Sequence, residues 1–125
     1  MKKLRSLQWL TDRFTGCRCG SGLLSDYRKA GPRVERLVRA AGLKIVGRTR
    51  HQFKDRGYTC VWLLSQSHVS LHSWPEYDFV TVGIEVCGFN NADEAKISRL
   101  HSSLERLFQP SSSRPRLFRF RFRRA

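Results

Sequence analysis

The stretch Lys44-Ile45-Val46-Gly47-Arg48-Thr49-Arg50-His51-Gln52-Phe53, followed after Lys54 by Asp55-Arg56-Gly57 and then by Tyr58-Thr59-Cys60-Val61-Trp62-Leu63-Leu64-Ser65, decides the fold. Both long runs are rich in β-branched and aromatic residues. The Asp-Arg-Gly between them is turn chemistry, so the segment predicts an antiparallel hairpin over 44–53 and 58–65. Downstream, His68 to Trp74 reads as another strand, stopped by Pro75, and Phe79 to Cys87 as the next, stopped by Gly88. Upstream, residues 6–15 alternate loosely as a first strand, and Gly16, Gly20 and Gly22 mark a loop. Gly31-Pro32 is read as opening a helix through Ala41. Val34, Leu37, Val38 and Ala41 fall at i, i+3, i+4 and i+7, and Gly42 is the stop.

A second helix is predicted from Ala92 to Phe108, with Asn91 as its cap and Ile97, Leu100, Leu104, Leu107 and Phe108 on its core stripe. Beyond the polar link from Pro110 to Pro115, Leu117 to Arg123 alternates Phe118, Phe120 and Phe122 with Arg119, Arg121 and Arg123. Period-two alternation puts rings and guanidiniums on opposite faces, and the rings are assigned to the core. The order β-α-β-β-β-β-α-β is that of an α+β two-layer sandwich, a mainly antiparallel sheet with two helices on one face. At 125 residues the chain has room for one core, so 1–125 is read as a single domain.

Composition narrows the function classes. Apolar residues make up 40% of the chain, which excludes a disordered tail. No apolar run reaches the ~18 residues of a spanning helix. The basic start Met1 to Leu7 leads into Gln8, Asp12 and Arg13 with no secretory apolar core, so a cytoplasmic protein without membrane contact is expected. Cys17 and Cys19 form a C-x-C, while Cys60 and Cys87 stand alone; no zinc spacing is completed, and neither a metal nor a disulfide is expected. The formal charge of +14 is concentrated in residues 1–66 and in the arginines after Pro110. Such an excess favours polyanions, but it forms no recognised reader motif, and 18 of the 24 cations are arginine; a solvated basic surface is the plainer reading and a nucleic-acid partner is unlikely.

Chemistry-bearing side chains crowd into Ser65-Gln66-Ser67-His68-Val69-Ser70-Leu71-His72-Ser73-Trp74-Pro75-Glu76-Tyr77, followed by Val86-Cys87-Gly88. On a strand, residues 68, 70, 72 and 74 share one face. A serine hydrolase would need a G-x-S-x-G elbow, which is absent. Read from residue types alone, the cluster fits either a reactive site or a polar strand face with satisfied histidines.

The run from Ser65 to Tyr77 resembles the signature of the short prokaryotic S-adenosylmethionine decarboxylase proenzymes, S-E-S-H-[IL]-[ST]-I-H-T-W-P-E-Y. The likeness continues to Cys87-Gly88 and back to His51-Gln52-Phe53. The resemblance implies a pyruvoyl-dependent decarboxylase of spermidine biosynthesis. It would cut itself between Gln66 and Ser67 into 1–66 and 67–125, turning Ser67 into the pyruvoyl cofactor that forms a Schiff base with substrate. His72 is then the base assisting processing and Cys87 the acid that protonates the carbon left by CO₂. Phe53 is the ring stacking on adenine, and Glu76 a substrate ligand. Pairing of sheets would give a homo-oligomer of two processed protomers.

Three departures from the pattern stand out. Gln66 replaces the usual Glu, Thr59-Cys60 stand where the family has small residues, and Gly83-Ile84-Glu85-Val86-Cys87-Gly88 replaces D-x-F-x-C-G. Glu85 shares a strand face with Cys87 and is expected to meet a cation on the substrate. That cation is the sulfonium of S-adenosylmethionine, or the distal amine or guanidine of the alternative substrates L-ornithine and L-arginine.

Overall fold

The computed structural model describes residues 5–20, 22–88 and 91–123. Its elements are β1 (Ser6–Phe14), α1 (Tyr27–Ala40), β2 (Ile45–Gln52), β3 (Tyr58–Leu64), β4 (Ser67–Trp74), a 3-10 turn (Pro75–Tyr77), β5 (Phe79–Gly88), α2 (Asn91–Phe108) and β6 (Arg116–Arg121). The six strands form one sheet in the order β2-β3-β4-β5-β1-β6, and every neighbouring pair is antiparallel. Along β5, Val80, Val82, Ile84 and Val86 are buried, whereas Thr81, Gly83, Glu85 and Cys87 are not. That alternation marks a sheet covered on one face. Both helices lie on the covered face: Trp62 of β3 donates its indole N–H to Glu35 of α1 at 3.0 Å, and the Phe14 ring of β1 meets Phe108 of α2 at 6.2 Å. The expected α+β two-layer architecture is therefore present.

Helix α1 begins four residues earlier than Gly31-Pro32 suggested. Asp26, in an extended conformation, accepts from the Arg28 backbone N–H at 2.9 Å and caps the helix, leaving Pro32 inside it. Gly31 is needed for packing rather than for initiation. A Cβ there would lie 2.6 Å from the Tyr27 ring, which folds back over the glycine and stacks near Trp62. The stripe on α2 agrees with expectation, with Ile97, Leu100, Leu104 and Phe108 buried. Asn91 is the first helical residue, so a capping position at 90 lies outside the described residues, as does Arg124 of the basic terminus.

The rings of β6 are not in the core. Phe118 is 52% and Phe120 59% exposed, on the face away from the helices, where Phe118 packs against Trp9 at 5.7 Å. Alternation separates the two faces of a strand but does not say which face is covered. β6 is an edge strand beyond the reach of both helices, so both of its faces are open.

One buried polar contact pins β1, α2 and the link before β6. Asp12, with a fully buried side chain, places Oδ2 2.6 Å from His101 Nε2, and its Oδ1 accepts from the backbone N–H groups of Arg13 and Arg114. His101 Nδ1 in turn lies 3.2 Å from Glu105 Oε1. Removing one partner of such a pair strands the other in the interior. Asp12→Ala should therefore lose about 3–5 kcal/mol of stability, measured by urea unfolding of the chain in a Ser67→Ala background.

Candidate active site

The open face of the sheet reads in cross-strand rows. One row runs Leu63, His68, Glu85, Trp9, Phe118; a second, nearer the other end of the strands, runs His51, Thr59, His72, Thr81, Arg13. His68, Ser70, His72 and Trp74 share this face, as the alternation of β4 required. Between the rows lies a groove of about 580 Å³ lined by Trp9, Arg13, His68, Ser70, Gly83 and Arg116 among others. Gly83 keeps its floor open, since a Cβ there would meet Ser70 Oγ at 2.6 Å.

At the first row the two-residue turn Ser65-Gln66 delivers Ser67 to the start of β4. Ser67 has φ +140°, a region that side chains other than glycine rarely occupy and that costs about 1–3 kcal/mol. The Gln66 carbonyl accepts from the Cys87 backbone N–H at 2.8 Å, and Gln66 Nε2 donates to the Cys87 carbonyl at 3.4 Å. Ser67 Oγ lies 3.3 Å from His68 Nδ1, and that same nitrogen lies 3.4 Å from Glu85 Oε2. Gln66, Ser67, His68, Glu85 and Cys87 thus form one cluster. Burial first, and the neighbouring Glu85 carboxylate second, push the Cys87 thiol above its ordinary value.

The remaining predicted residues gather at the other end. His72 Nδ1 is 3.1 Å from Thr59 Oγ1, which gives Thr59 a role. Phe53, 44% exposed, follows β2 and stands edge-on to His51 at 4.6 Å. Its N–H donates to the Gly57 carbonyl at 2.9 Å, closing the β2–β3 turn. Only glycine fits at 57, because a Cβ there would strike the Ser73 carbonyl at 2.1 Å. Glu76 is exposed in the 3-10 turn after β4. Five residues of strand separate His72 from Ser67, about 16 Å. One chain therefore presents two half-sites, with Ser67 and His72 at opposite ends of β4.

The sequence did not single out His68. Its value comes from the register that sets it opposite Glu85 on β5, and register is invisible without the pairing.

A sequence profile described as S-adenosylmethionine decarboxylase matches residues 13–117. The chain belongs to that family. A relative from Archaeoglobus fulgidus, named S-adenosylmethionine decarboxylase proenzyme, is 38% identical over 65% of this chain and 69% of its own length. A Methanococcus maripaludis protein of the same name is 30% identical over 70% of this chain and 71% of its own. The matches to the Picrophilus torridus and Thermoplasma volcanium proteins of that name span only 57% and 58% of those relatives' lengths. The crystal structure of the adenosylmethionine decarboxylase from Aquifex aeolicus shares the fold, with TM-score 0.73 and 24% identity over 93% of this chain and 90% of that one. Among the described residues no helix is long and apolar enough to cross a membrane.

The electrostatics of Cys87 are testable. Alkylation of Cys87 by iodoacetamide should need more alkaline solution than a free thiol, because burial and Glu85 both disfavour the thiolate. Glu85→Gln should move the midpoint down without reaching the free-thiol value, since the burial contribution remains. Peptide mass mapping across a pH series reads both.

Proposed function

We propose that this chain is the proenzyme of a pyruvoyl-dependent S-adenosylmethionine decarboxylase, cutting itself between Gln66 and Ser67 into chains 1–66 and 67–125. The observation that carries this reading is the strained Ser67 backbone next to a carbonyl already held by the Cys87 N–H. Attack of Ser67 Oγ on the Gln66 carbonyl carbon breaks the C–N bond and leaves an ester. Loss of the Ser67 Cα proton then expels the Gln66 carboxylate and leaves a dehydroalanine. One water enters and one ammonia leaves to give the pyruvoyl group.

The surroundings fit each step. The Cys87 N–H sits where negative charge develops on the carbonyl oxygen. Cleavage abolishes the φ torsion of residue 67, so the strain favours the product. The pyruvoyl ketone, once formed, supplies an electron sink for an α-amino acid losing CO₂. The Cys87 thiol, kept protonated by burial and by Glu85, is suited to return a proton to that carbon. The exposed Phe53 ring offers a stacking face for adenine, and Glu76, exposed in the 3-10 turn at the same end of the sheet, offers an acceptor for the substrate. The distal cation of L-ornithine or L-arginine would need Glu85, but Glu85 already faces His68 of its own chain. The relatives' shared name favours the nucleoside substrate.

The two half-sites argue for a homodimer of processed protomers. A second copy laid open face to open face, with its strands running the opposite way, brings one chain's Phe53, His72 and Glu76 over the other's Ser67 and Cys87. The same packing covers Trp9, Leu63, Phe118 and Phe120, all about half exposed in one chain.

Ser67→Ala should give a single uncleaved, inactive chain in denaturing mass spectrometry, because no other hydroxyl can become the ketone. Cys87→Ala keeps its backbone N–H and should still cleave, but turn over about 10²–10⁴-fold more slowly. Failure of the parent chain to split would refute the reading.

Sharing of the site is tested by mixing. Neither a Ser67→Ala chain nor a His72→Ala chain should cleave alone. Co-expressed, they should form a dimer in which the His72→Ala chain, carrying Ser67, is cut by its partner's His72. If co-expression restores no cleavage, the two residues are not contributed by different copies.

A further inference from the structure

The cluster at Ser67 contains a proton path that the resemblance does not assign. Among the described residues, His68 Nδ1 is the side-chain nitrogen within hydrogen-bonding reach of Ser67 Oγ, at 3.3 Å, whereas His72 bonds Thr59 at the far end of β4. His68 is held in place by its cross-strand partner Glu85, whose Oε2 lies 3.4 Å from the same nitrogen. The imidazole is wedged between the nucleophile and a carboxylate, a geometry in which one hydroxyl proton can be taken up and the resulting cation met at once.

Resting on the self-cleavage reading, we propose that His68 is the base for the first step of processing and that Glu85 is its positioning residue. The Ser67 hydroxyl proton passes to His68 Nδ1 as Oγ bonds to the Gln66 carbonyl carbon. The carbonyl oxygen takes the electron pair against the Cys87 N–H, and the imidazolium N–H turns toward Glu85. As the C–N bond breaks, His68 returns the proton to the Ser67 nitrogen, giving the ester and a neutral amine with no outside reactant. His72 is then left for the later proton on Cα of residue 67.

The charges around this pair come from three sides. Glu85 and Cys87 stand on β5. Arg13 comes from β1, where the neighbouring Asp12 turns to the helix face and is held by His101, and Arg114 and Arg116 come from the β6 end of the groove. From β3 the residue opposite His68 is the apolar Leu63. The arginines oppose a second positive charge in the groove, and Glu85 is the carboxylate placed to offset them at His68. This explains why a carboxylate, rather than an aromatic ring, is useful at position 85.

The test uses full-length precursor labelled by brief cell-free translation and transferred by rapid gel filtration into buffers from about pH 5 to about pH 9. Cleavage is followed on denaturing gels, and the ester by its sensitivity to hydroxylamine. Parent precursor should form ester and cleave across the series. Glu85→Gln should lower the rate roughly 10–100-fold, and Glu85→Asp, which keeps a carboxylate opposite His68, should recover much of it. A merely structural loss would be shared by both variants. His68→Ala should form no hydroxylamine-sensitive ester, and added imidazole should restore cleavage. If His68→Ala forms ester at the parent rate, or if Glu85→Gln leaves the rate unchanged or Glu85→Asp recovers none of it while the parent cleaves normally, the assignment is overturned. If the parent itself never cleaves, the fault lies with the self-cleavage reading instead.

Discussion

The register between β4 and β5 is the constraint on which the rest of the structure depends. Ser67 pairs with Val86 and His68 with Glu85, and the turn before Ser67 hands its Gln66 carbonyl to the Cys87 N–H. A slip of one residue would send Val69 and Leu71 to the open face and turn His68, Ser70 and His72 into the core. The slip is opposed by fully buried Val69, Leu71, Val80 and Ile84, each of which contributes about 1.5–3 kcal/mol of burial. Core packing thus sets the geometry of the reactive turn. The φ of Ser67 persists because both strands leaving the turn are clamped by that packing.

The second organising fact is that helices cover one face of a six-stranded sheet and leave the other bare. The bare face carries the half-sites, the groove and the rings of Trp9, Phe118 and Phe120, while the helix face holds the apolar core and the buried Asp12–His101 pair. Charge follows the same division. Glu35 on the helix layer is drawn toward Arg48, Arg39 and the Trp62 indole, and Asp26 toward Arg28, so the acids of α1 and its cap are engaged locally. The surplus arginines are left to the surface. A solvated basic surface is what the composition alone suggested.

Much of this was legible in the sequence, and most of the failures share one cause. Strand positions followed from period-two patterns, and α2 from its apolar stripe. Gln66, Ser67 and Cys87, which the resemblance groups in one site, lie together at the start of β4. What the pattern could not supply was anything that depends on which elements become neighbours. The rings of β6 were assigned to the core because alternation gives two faces without labelling them. Helix α1 starts at Tyr27 because Asp26 caps it, a local signal that a reading centred on Gly31-Pro32 passes over. His72, Phe53 and Glu76 share a signature with Ser67 but lie at the other end of the sheet. Residues that a motif places close together along the chain can thus stand far apart on the sheet.

The two departures nearest the reactive turn are best understood together, through Cys87. Gln66 donates its side-chain amide to the Cys87 carbonyl, a bond that the family's usual Glu, as a carboxylate, could not donate. On the other side Glu85 raises the Cys87 thiol and faces His68. Carboxylates at both 66 and 85 would bracket a half-buried thiol and the scissile carbonyl with like charges, opposing the negative charge that the attack creates there. Keeping one carboxylate and moving it from the leaving side of the turn to the strand opposite removes that conflict. The carbonyl keeps neutral donors on its side, while the imidazole and the thiol, the groups that must hold protons, keep the negative charge on theirs.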